Sequence, residues 1–195
     1  MTRSCEVRSP MRARTRLVAA AVAVALGLGL AGPAGAKVFY SMDEALHAAF
    51  PEAQTIEKDM LFLTDEQARQ IEELAKARLD SKMIAVHVGK KGPKVLGYAM
   101  IDIHLVRTQP EAILVVLTPE GVVDSTLILA FNEPLDYLPP ARWLKQFTRR
   151  TLVPDLSLNQ GIAAITGATL SAYGITDSVR RALAVYQVMM APKRR

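Results

Sequence analysis

The chain has 195 residues, of which 24 are Lys or Arg and 19 are Asp or Glu, and half of them are hydrophobic. Residues 1–36 hold five of the arginines and one glutamate, so the rest of the chain keeps 19 basic and 18 acidic side chains. This nearly neutral remainder gives no electrostatic reason to expect a nucleic-acid partner. Its length suits one domain with its own core. The single cysteine, Cys5, lies within residues 1–36, which excludes disulfides and iron–sulfur ligands from the remainder.

Residues 1–36 are predicted to be a secretory signal peptide. Five arginines between Arg3 and Arg16 precede sixteen uncharged residues, 17–32, and Ala34-Gly35-Ala36 then supplies a small-residue cleavage pattern. A bilayer-spanning helix needs ~20 apolar residues, so the run favours a cleaved signal over a permanent anchor. We therefore expect cleavage after Ala36 and an exported protein, periplasmic or otherwise outside the cytoplasm. Translation starts at Met1 or Met11.

The first half of the remaining chain predicts two helices and a series of strands. Capping boxes at Ser41–Glu44 and Thr64–Gln67 open helices that extend to Phe50 and to about Leu79. Strands are predicted at 55–62, 83–88, 95–106, 112–117 and 122–131, with turns at Lys90–Pro93 and Glu120–Gly121. Consecutive strands joined by turns predict an α+β single domain with an antiparallel sheet flanked by helices.

The second half predicts a phosphate-binding turn before a C-terminal helix. After a loop at 132–140, a short helix at 141–147 and an irregular stretch to Ile165, apolar residues recur at helical spacing from Ile175 to Met190. The turn Ile165–Ser171 carries small residues and three hydroxyls at the start of this helix. Free backbone N–H groups and the helix dipole favour an anion there. An ordinary hydroxyl N-cap is the alternative interpretation.

The turn sequence Thr166-Gly167-Ala168-Thr169-Leu170-Ser171 resembles the [Ser/Thr]-Gly-Ala-Thr-x-[Ser/Thr] signature of the bacterial FMN-binding domain family. This family includes the C subunit of the sodium-pumping NADH:quinone oxidoreductase, the G subunit of the Rnf complex and small exported flavoproteins. Further segments that resemble the small exported members are Ala45-Leu46 with Ala49-Phe50-Pro51, Phe62-Leu63-Thr64, Asp102-x-His104-x-Val106-Arg107-Thr108, and Phe131-x-Glu133-Pro134 with Tyr137. The resemblance thus extends over nearly all of residues 37–195, the predicted FMN-binding domain.

The resemblance implies FMN as the cofactor, with its phosphate held by residues 166–171. In the family, the threonine corresponding to Thr169 is esterified to the FMN phosphate by a dedicated flavin transferase. Flavinylation motifs usually carry an aspartate three residues before their first hydroxyl residue, and Ala163 occupies that place here. Covalent attachment at Thr169 and tight non-covalent binding therefore both remain open.

Two further residues are candidates for contact with the flavin, each with a structural alternative. Tyr173 either lies alongside the flavin ring or packs on the sheet. His104 either hydrogen-bonds the flavin or is a partly exposed sheet residue, the more common situation for such a histidine. An ion pair between Arg107 and Glu111 is favoured over a contact of Arg107 with the phosphate.

The sequence gives little support for other chemistry. The histidines are far apart, so no metal site is predicted, and we assign no catalytic residue. A hydrolytic triad of Ser171, His104 and Asp102 lacks the expected motif around its serine. The Arg180-Arg181 pair is interpreted as a solvated charge pair.

Because the flavin supplies the chemistry, the sequence favours an exported electron carrier over an enzyme with its own substrate. Its expected partners are redox proteins associated with the membrane, and the flavin transferase if the flavin is covalent. The alternatives are a flavin-dependent reductase of a small molecule outside the cytoplasm, and a cofactor-free binding or assembly module of the same fold.

Overall fold

The computed structural model describes residues 37–192. The predicted signal peptide and the C-terminal residues 193–195 lie outside the described residues. The strands are β1 (Lys37–Val38), β2 (Thr55–Phe62), β3 (Met83–Lys91), β4 (Lys94–Val106), β5 (Gln109–Leu117) and β6 (Val123–Phe131). The α-helices are α1 (Met42–Ala49), α2 (Asp65–Ala75), α3 (Ala141–Leu144) and α4 (Thr169–Val185), and α4 continues into a π-helical turn, Tyr186–Met190. Short 3₁₀ turns cover Leu135–Tyr137 and Lys145–Phe147.

The six strands form one sheet in the order β1-β6-β5-β4-β3-β2, and every neighbouring pair is antiparallel. Strands β2 to β6 are neighbours in the order in which they follow one another in the chain, so hairpin turns suffice to join most of them. The predicted α+β class, the antiparallel sheet and the C-terminal helix after the turn are confirmed. The edge strand β1 was not predicted, because two residues show no alternation of polar and apolar side chains.

The sheet has a hydrophobic core on each face. Helices α2, α3 and α4 cover one face, where α4 contributes Ile175, Val179 and Leu183 to the larger core. Helix α1 covers part of the other face, where Ala45, Leu46 and Phe50 pack on the sheet. Alternating side chains along each strand therefore supply two separate cores, and α4 lies on the larger one.

Both predicted capping boxes are present, at Ser41 with Glu44 and at Thr64 with Gln67. The second helix, however, ends at Ala75, four residues before the predicted end at Leu79. Lys76 adopts a left-handed conformation with φ of 53°. The guanidinium of Arg180 donates hydrogen bonds to the last carbonyls of α2, at Leu74 and Ala75. A cation at a helix C-terminus satisfies carbonyls that lack intrahelical partners.

Arg180 is therefore a buried residue, 4% exposed, and the prediction of a solvated Arg180-Arg181 pair was wrong. Its guanidinium also donates to the carbonyls of Leu156 at 2.9 Å and Val153 at 3.3 Å. Because these acceptors are neutral, burial lowers the pKa of Arg180 below its usual value. The side chain links α4 to α2 and to the loop that leads towards the turn.

Candidate functional site: the turn at the start of helix α4

Helix α4 begins without a side-chain cap. Its N-cap residue is Ala168, and no side chain accepts a hydrogen bond from the first turn. The first helical bond of this region joins Ala172 N–H to the Ala168 carbonyl, 3.0 Å away. The ordinary hydroxyl N-cap, the alternative interpretation of the sequence, is therefore absent here. The backbone N–H groups of the first turn are available to an anion, which the helix dipole also favours.

The turn before the helix leaves space for a ligand. Gly167 has φ of 88°, a conformation that favours glycine, and no atom lies within 4 Å of the position that a Cβ would occupy there. Thr169 is exposed, and its hydroxyl donates to the Ile165 carbonyl at 3.3 Å. This is a long hydrogen bond, so the Thr169 oxygen remains accessible as a nucleophile or a ligand donor.

A cavity of about 110 Å³ adjoins this turn. Its lining comprises Val106, Arg107, Glu133, Tyr137, Gly167, Ala168, Thr169, Leu170 and Ser171. Ser171 is 1% exposed, and its Oγ has no hydrogen-bond partner within residues 37–192. A buried hydroxyl without a partner is costly, and a ligand with acceptor oxygens would satisfy it.

Five of the eight predicted site residues line this cavity: Gly167, Ala168, Thr169, Leu170 and Ser171. Thr166 lies in the same turn and is exposed, but it is not part of the lining. Tyr173 lies one helical turn further along α4, and its side chain is half exposed, as is that of Leu170. Tyr173 does not pack on the sheet as a buried residue.

The cavity also contains residues that the predicted site omitted: Val106, Arg107, Glu133 and Tyr137. Arg107 has φ of 54°, and its guanidinium lies over the Tyr137 ring, 5.1 Å from the centroid. The favoured ion pair between Arg107 and Glu111 is not formed, and that prediction was wrong. Glu111 pairs with His104 instead. Arg107 therefore supplies a positive charge to the wall of the cavity.

The segment that leads into the turn is fixed by hydrogen bonds to the α3 region. The Ala163 carbonyl accepts a hydrogen bond from the Trp143 indole at 2.6 Å, and the Ala163 N–H donates to Gln146 at 2.9 Å. Trp143 packs edge-on against Phe147, with 5.3 Å between ring centroids. The Ala163 side chain itself is exposed. The position at which flavinylation motifs carry an aspartate is thus held by its backbone and open to solvent.

His104 lies in a buried cluster of charged and polar side chains between β4 and α4. Its Nδ1 is 3.4 Å from the Asp102 carboxylate, and its Nε2 is 3.3 Å from that of Glu111. Ser178 contacts both Asp102 and His104, and Arg181 pairs with Asp102. With 10% of its side chain exposed, His104 is not the partly exposed sheet residue that we favoured. Both ring nitrogens are occupied by protein partners, and His104 does not line the 110 Å³ cavity.

The cluster holds its members in charged forms. Burial disfavours the imidazolium, but hydrogen bonds to Asp102 and Glu111 outweigh it and raise the pKa of His104 to about 9. Burial also opposes ionisation of Asp102, yet hydrogen bonds from His104 and Arg181 hold the pKa of that carboxyl well below its usual range. Burial raises the pKa of Glu111, an effect that His104 opposes. The two cations therefore face two carboxylates.

The backbone of α4 lies close to this cluster. A Cβ placed on Gly174 would overlap the His104 ring, so helix and strand reach this distance only because residue 174 lacks a side chain. Gly174 is three residues after Ser171 in the same helix. The cluster thus fixes the position of α4, and with it the first turn of that helix.

The serine that contacts His104 and Asp102 is Ser178, whereas Ser171 faces the cavity. Ser178 is 1% exposed and lies within a hydrogen-bond network. This arrangement offers no accessible nucleophile, and the structure does not bring the triad of Ser171, His104 and Asp102 together.

No family model matches the chain. The chain is similar to the G subunit of the Na⁺-translocating ferredoxin:NAD⁺ oxidoreductase complex of Acetobacterium woodii, with 27% identity over 123 residues. The matched region covers 54% of this chain and 56% of that protein, so the chain spans about half the length of this relative. The relative is a subunit of the same kind as one to which the turn sequence pointed.

Two kinds of feature are absent from the described part of the chain. Within residues 37–192, no helix combines the length and apolar composition needed to cross a bilayer. The same residues contain no group of three or more His, Cys, Asp or Glu side chains arranged to hold a metal ion.

Proposed function

We propose that this protein is an exported FMN-binding flavoprotein that carries electrons. The observation that carries this proposal is the uncapped start of α4, where the buried and unpartnered Ser171 hydroxyl and the Arg107 guanidinium share one small cavity. The similarity to an oxidoreductase complex subunit supports FMN as the cofactor.

The residues present fit the phosphate end of FMN. Backbone N–H groups at the first turn of α4 and the Ser171 hydroxyl donate to phosphate oxygens, and the dipole of α4 and Arg107 offset their charge. Glu133 also lines the cavity, and its carboxylate would oppose an anion unless it pairs with Arg107. A cavity of about 110 Å³ holds a phosphate but not the three-ring flavin. The ring therefore extends outward, where half-exposed Leu170 and Tyr173 supply apolar and aromatic contacts.

Thr169 is the residue that we propose for covalent attachment. It is exposed at the first position of α4, and its oxygen faces the same cavity as Ser171. An ester between its Oγ1 and the FMN phosphate forms with net loss of one water molecule, and a flavin transferase would be the catalyst. Non-covalent binding in the same cavity is the alternative, since the position of the usual aspartate is taken by Ala163.

Bound FMN exchanges one or two electrons, and the chain's own residues bind and orient it. Arg107 and the start of α4 hold the phosphate, while the charged cluster around His104 keeps α4 in place. Within residues 37–192, His104 has both ring nitrogens engaged, so we assign it a supporting role rather than contact with the flavin. Its redox partners would be proteins associated with the membrane. A reductase of a small molecule remains the second candidate, and steady-state turnover of a defined small acceptor would favour it.

The test of the attachment site compares two threonines in one turn. Thr169→Ala, produced with a flavin transferase in an exporting host, should lose all covalent flavin, because the ester oxygen is gone. The control Thr166→Ala changes an exposed hydroxyl that does not line the cavity and should keep its flavin. Denaturing gel fluorescence and intact mass measure both. Unchanged attachment in Thr169→Ala would show that another hydroxyl is modified.

A further inference from the structure

One end of the sheet face that carries α1 is covered by no helix and exposes large apolar side chains. Cross-strand pairs place Phe62 beside Met83 on β2 and β3. A second set of pairs runs from Ile103 through Ala112 and Ala130 to Val38. Cross-strand neighbours share a sheet face, so together these residues form a row that crosses all six strands. We call this row, with its neighbours Met60 and Leu105, the apolar strip.

The side chains of the apolar strip are unusually open to solvent for their type. Phe62 and Leu105 are each 71% exposed, Val38 is 67% exposed and Ile103 is 63% exposed. Met83 and Met60 are 53% and 40% exposed. Of the described residues, these six make up half of the large apolar side chains that are strongly exposed. A concentration of such side chains on one face marks an interaction surface rather than random surface composition.

The strip is continuous across the sheet. The register pairs of β3 and β4 end at His87 and Ala99, so Met83 and Ile103 are not ladder partners. Both nevertheless line a single cavity of about 270 Å³ between these strands, which places them on either side of one opening. Helix α1 packs on the other part of this face, over Ala99, Leu114 and Leu129, and does not reach the strip.

The strip lies at the same end of the sheet as the turn of α4. Leu105 is two residues from Arg107, where β4 ends, and β6 ends at Phe131, two residues before Glu133. Both Arg107 and Glu133 line the cavity at the start of α4. A surface that covers the strip would therefore lie near that cavity.

We propose that the apolar strip docks on the surface of a lipid bilayer. The uncharged run of residues 17–32 ends five residues before Lys37, a span of at most ~18 Å. A run of this kind enters the membrane during export, whether or not it is later removed. Val38, the first strip residue in the chain, therefore begins next to the bilayer. The strip thus provides a contact that does not depend on the retention of residues 1–36.

Charge near the strip agrees with a headgroup surface. Lys37 and Lys58 are exposed and adjoin Val38 and Met60, on the two edge strands of the sheet. Arg107 is exposed beside the end of β4. Amphipathic surfaces of this type combine inserted apolar side chains with basic side chains that remain at the level of the headgroups.

The experiment places an environment-sensitive bimane probe on the full chain, as an exporting host produces it, with Cys5→Ser to leave one thiol. Ile103→Cys and Leu105→Cys report on the strip, and Val153→Cys is the control, because Val153 contacts Arg180 on the opposite face. On vesicles of phosphatidylcholine with phosphatidylglycerol, strip probes should shift to the blue and be quenched by brominated lipid. The control probe should do neither.

A second measurement uses flotation of the same vesicles. Phe62→Ser with Ile103→Ser and Leu105→Ser should reduce the bound fraction at least tenfold if residues 1–36 have been removed, whereas Val153→Ser should not. If those residues are retained, all variants float and the probe shift decides. Strip probes that stay in water on every vesicle would overturn the proposal, as would shielding that depends only on protein concentration or on an added membrane protein. Because no arm uses flavin, failure here leaves the assignment of FMN untouched.

Discussion

At the scale of single residues, Ser171 most directly distinguishes a ligand site from ordinary packing. Its hydroxyl is buried and unpartnered in the described chain, so Ser171→Ala should leave the free energy of unfolding of the flavin-free protein unchanged or slightly higher. The same change should weaken FMN binding by about ten- to a hundredfold, because a hydrogen bond to a charged group is lost. Urea denaturation and fluorescence titration measure the two effects.

The control for this prediction is a hydroxyl in the same helix with a partner of its own. Thr176 is buried, and its Oγ1 donates to the Ala172 carbonyl at 2.7 Å. Thr176→Val keeps the shape and should leave FMN affinity unchanged. An equal loss of affinity in both variants would mean that Ser171 acts only through the helix.

Residue patterns predicted the hydroxyl turn well and the charged residues poorly. The motif from Gly167 to Ser171 needs only local sequence, because all of its residues belong to one turn. The error at Arg107 and Glu111 arose from distance along the chain. The β4–β5 register places Glu111 opposite His104, while the positive φ of Arg107 turns that side chain towards Tyr137. A sequence shows neither register nor φ.

At the scale of elements, the contact between α4 and β4 depends on Gly174. Alanine normally stabilises a helix by about 1 kcal/mol relative to glycine. Here Gly174→Ala should instead destabilise the protein by about 2 kcal/mol, because the new methyl group overlaps the His104 ring. Thermal or urea unfolding measures the sign directly.

A double-mutant cycle separates this clash from other effects. In a His104→Ala background the ring is gone, so Gly174→Ala should cost nothing or should stabilise the protein relative to that background. Equal costs in both backgrounds would place the clash elsewhere. The cycle also tests whether the charged cluster controls the position of α4, since the clashing variant should bind FMN more weakly.

Elements were predictable where their signals are local. Both capping boxes marked helix starts correctly, because a cap involves residues three apart. The end of α2 at Ala75 was not predictable, since Arg180 accounts for it from 105 positions further along the chain. Arg180 and Arg181 have the same residue type and the same local sequence, and only the fold assigns one to backbone carbonyls and the other to Asp102.

At the scale of the whole molecule, the balanced charges between β4 and α4 make stability depend on pH. The pKa of His104 is raised to about 9 in the folded chain, from about 6.5 when unfolded. The stability that this charge contributes is fully present below pH 6.5 and is lost as the pH rises through 9. We expect the free energy of unfolding to fall by up to about 3 kcal/mol over this window. His104→Gln should flatten that slope.

The acid side of the profile has the opposite sign. The pKa of Asp102 is held below its usual range, so the stability it contributes is present above about pH 4 and is lost as the pH falls further. Unfolding experiments from pH 3 to pH 9.5 test both limbs. A flat profile between pH 6.5 and 9 in the unmodified protein would contradict the charged form of His104.

The proposed function depends above all on whether the start of helix α4 holds the phosphate of FMN. The most decisive experiment is intact mass, with absorbance, of the protein produced in an exporting host that contains a flavin transferase. We expect yellow protein; if attachment is covalent, its mass exceeds that of the polypeptide by one FMN less one water, and if not, added FMN binds. Colourless protein with the mass of the polypeptide alone and no affinity for added FMN would refute the assignment.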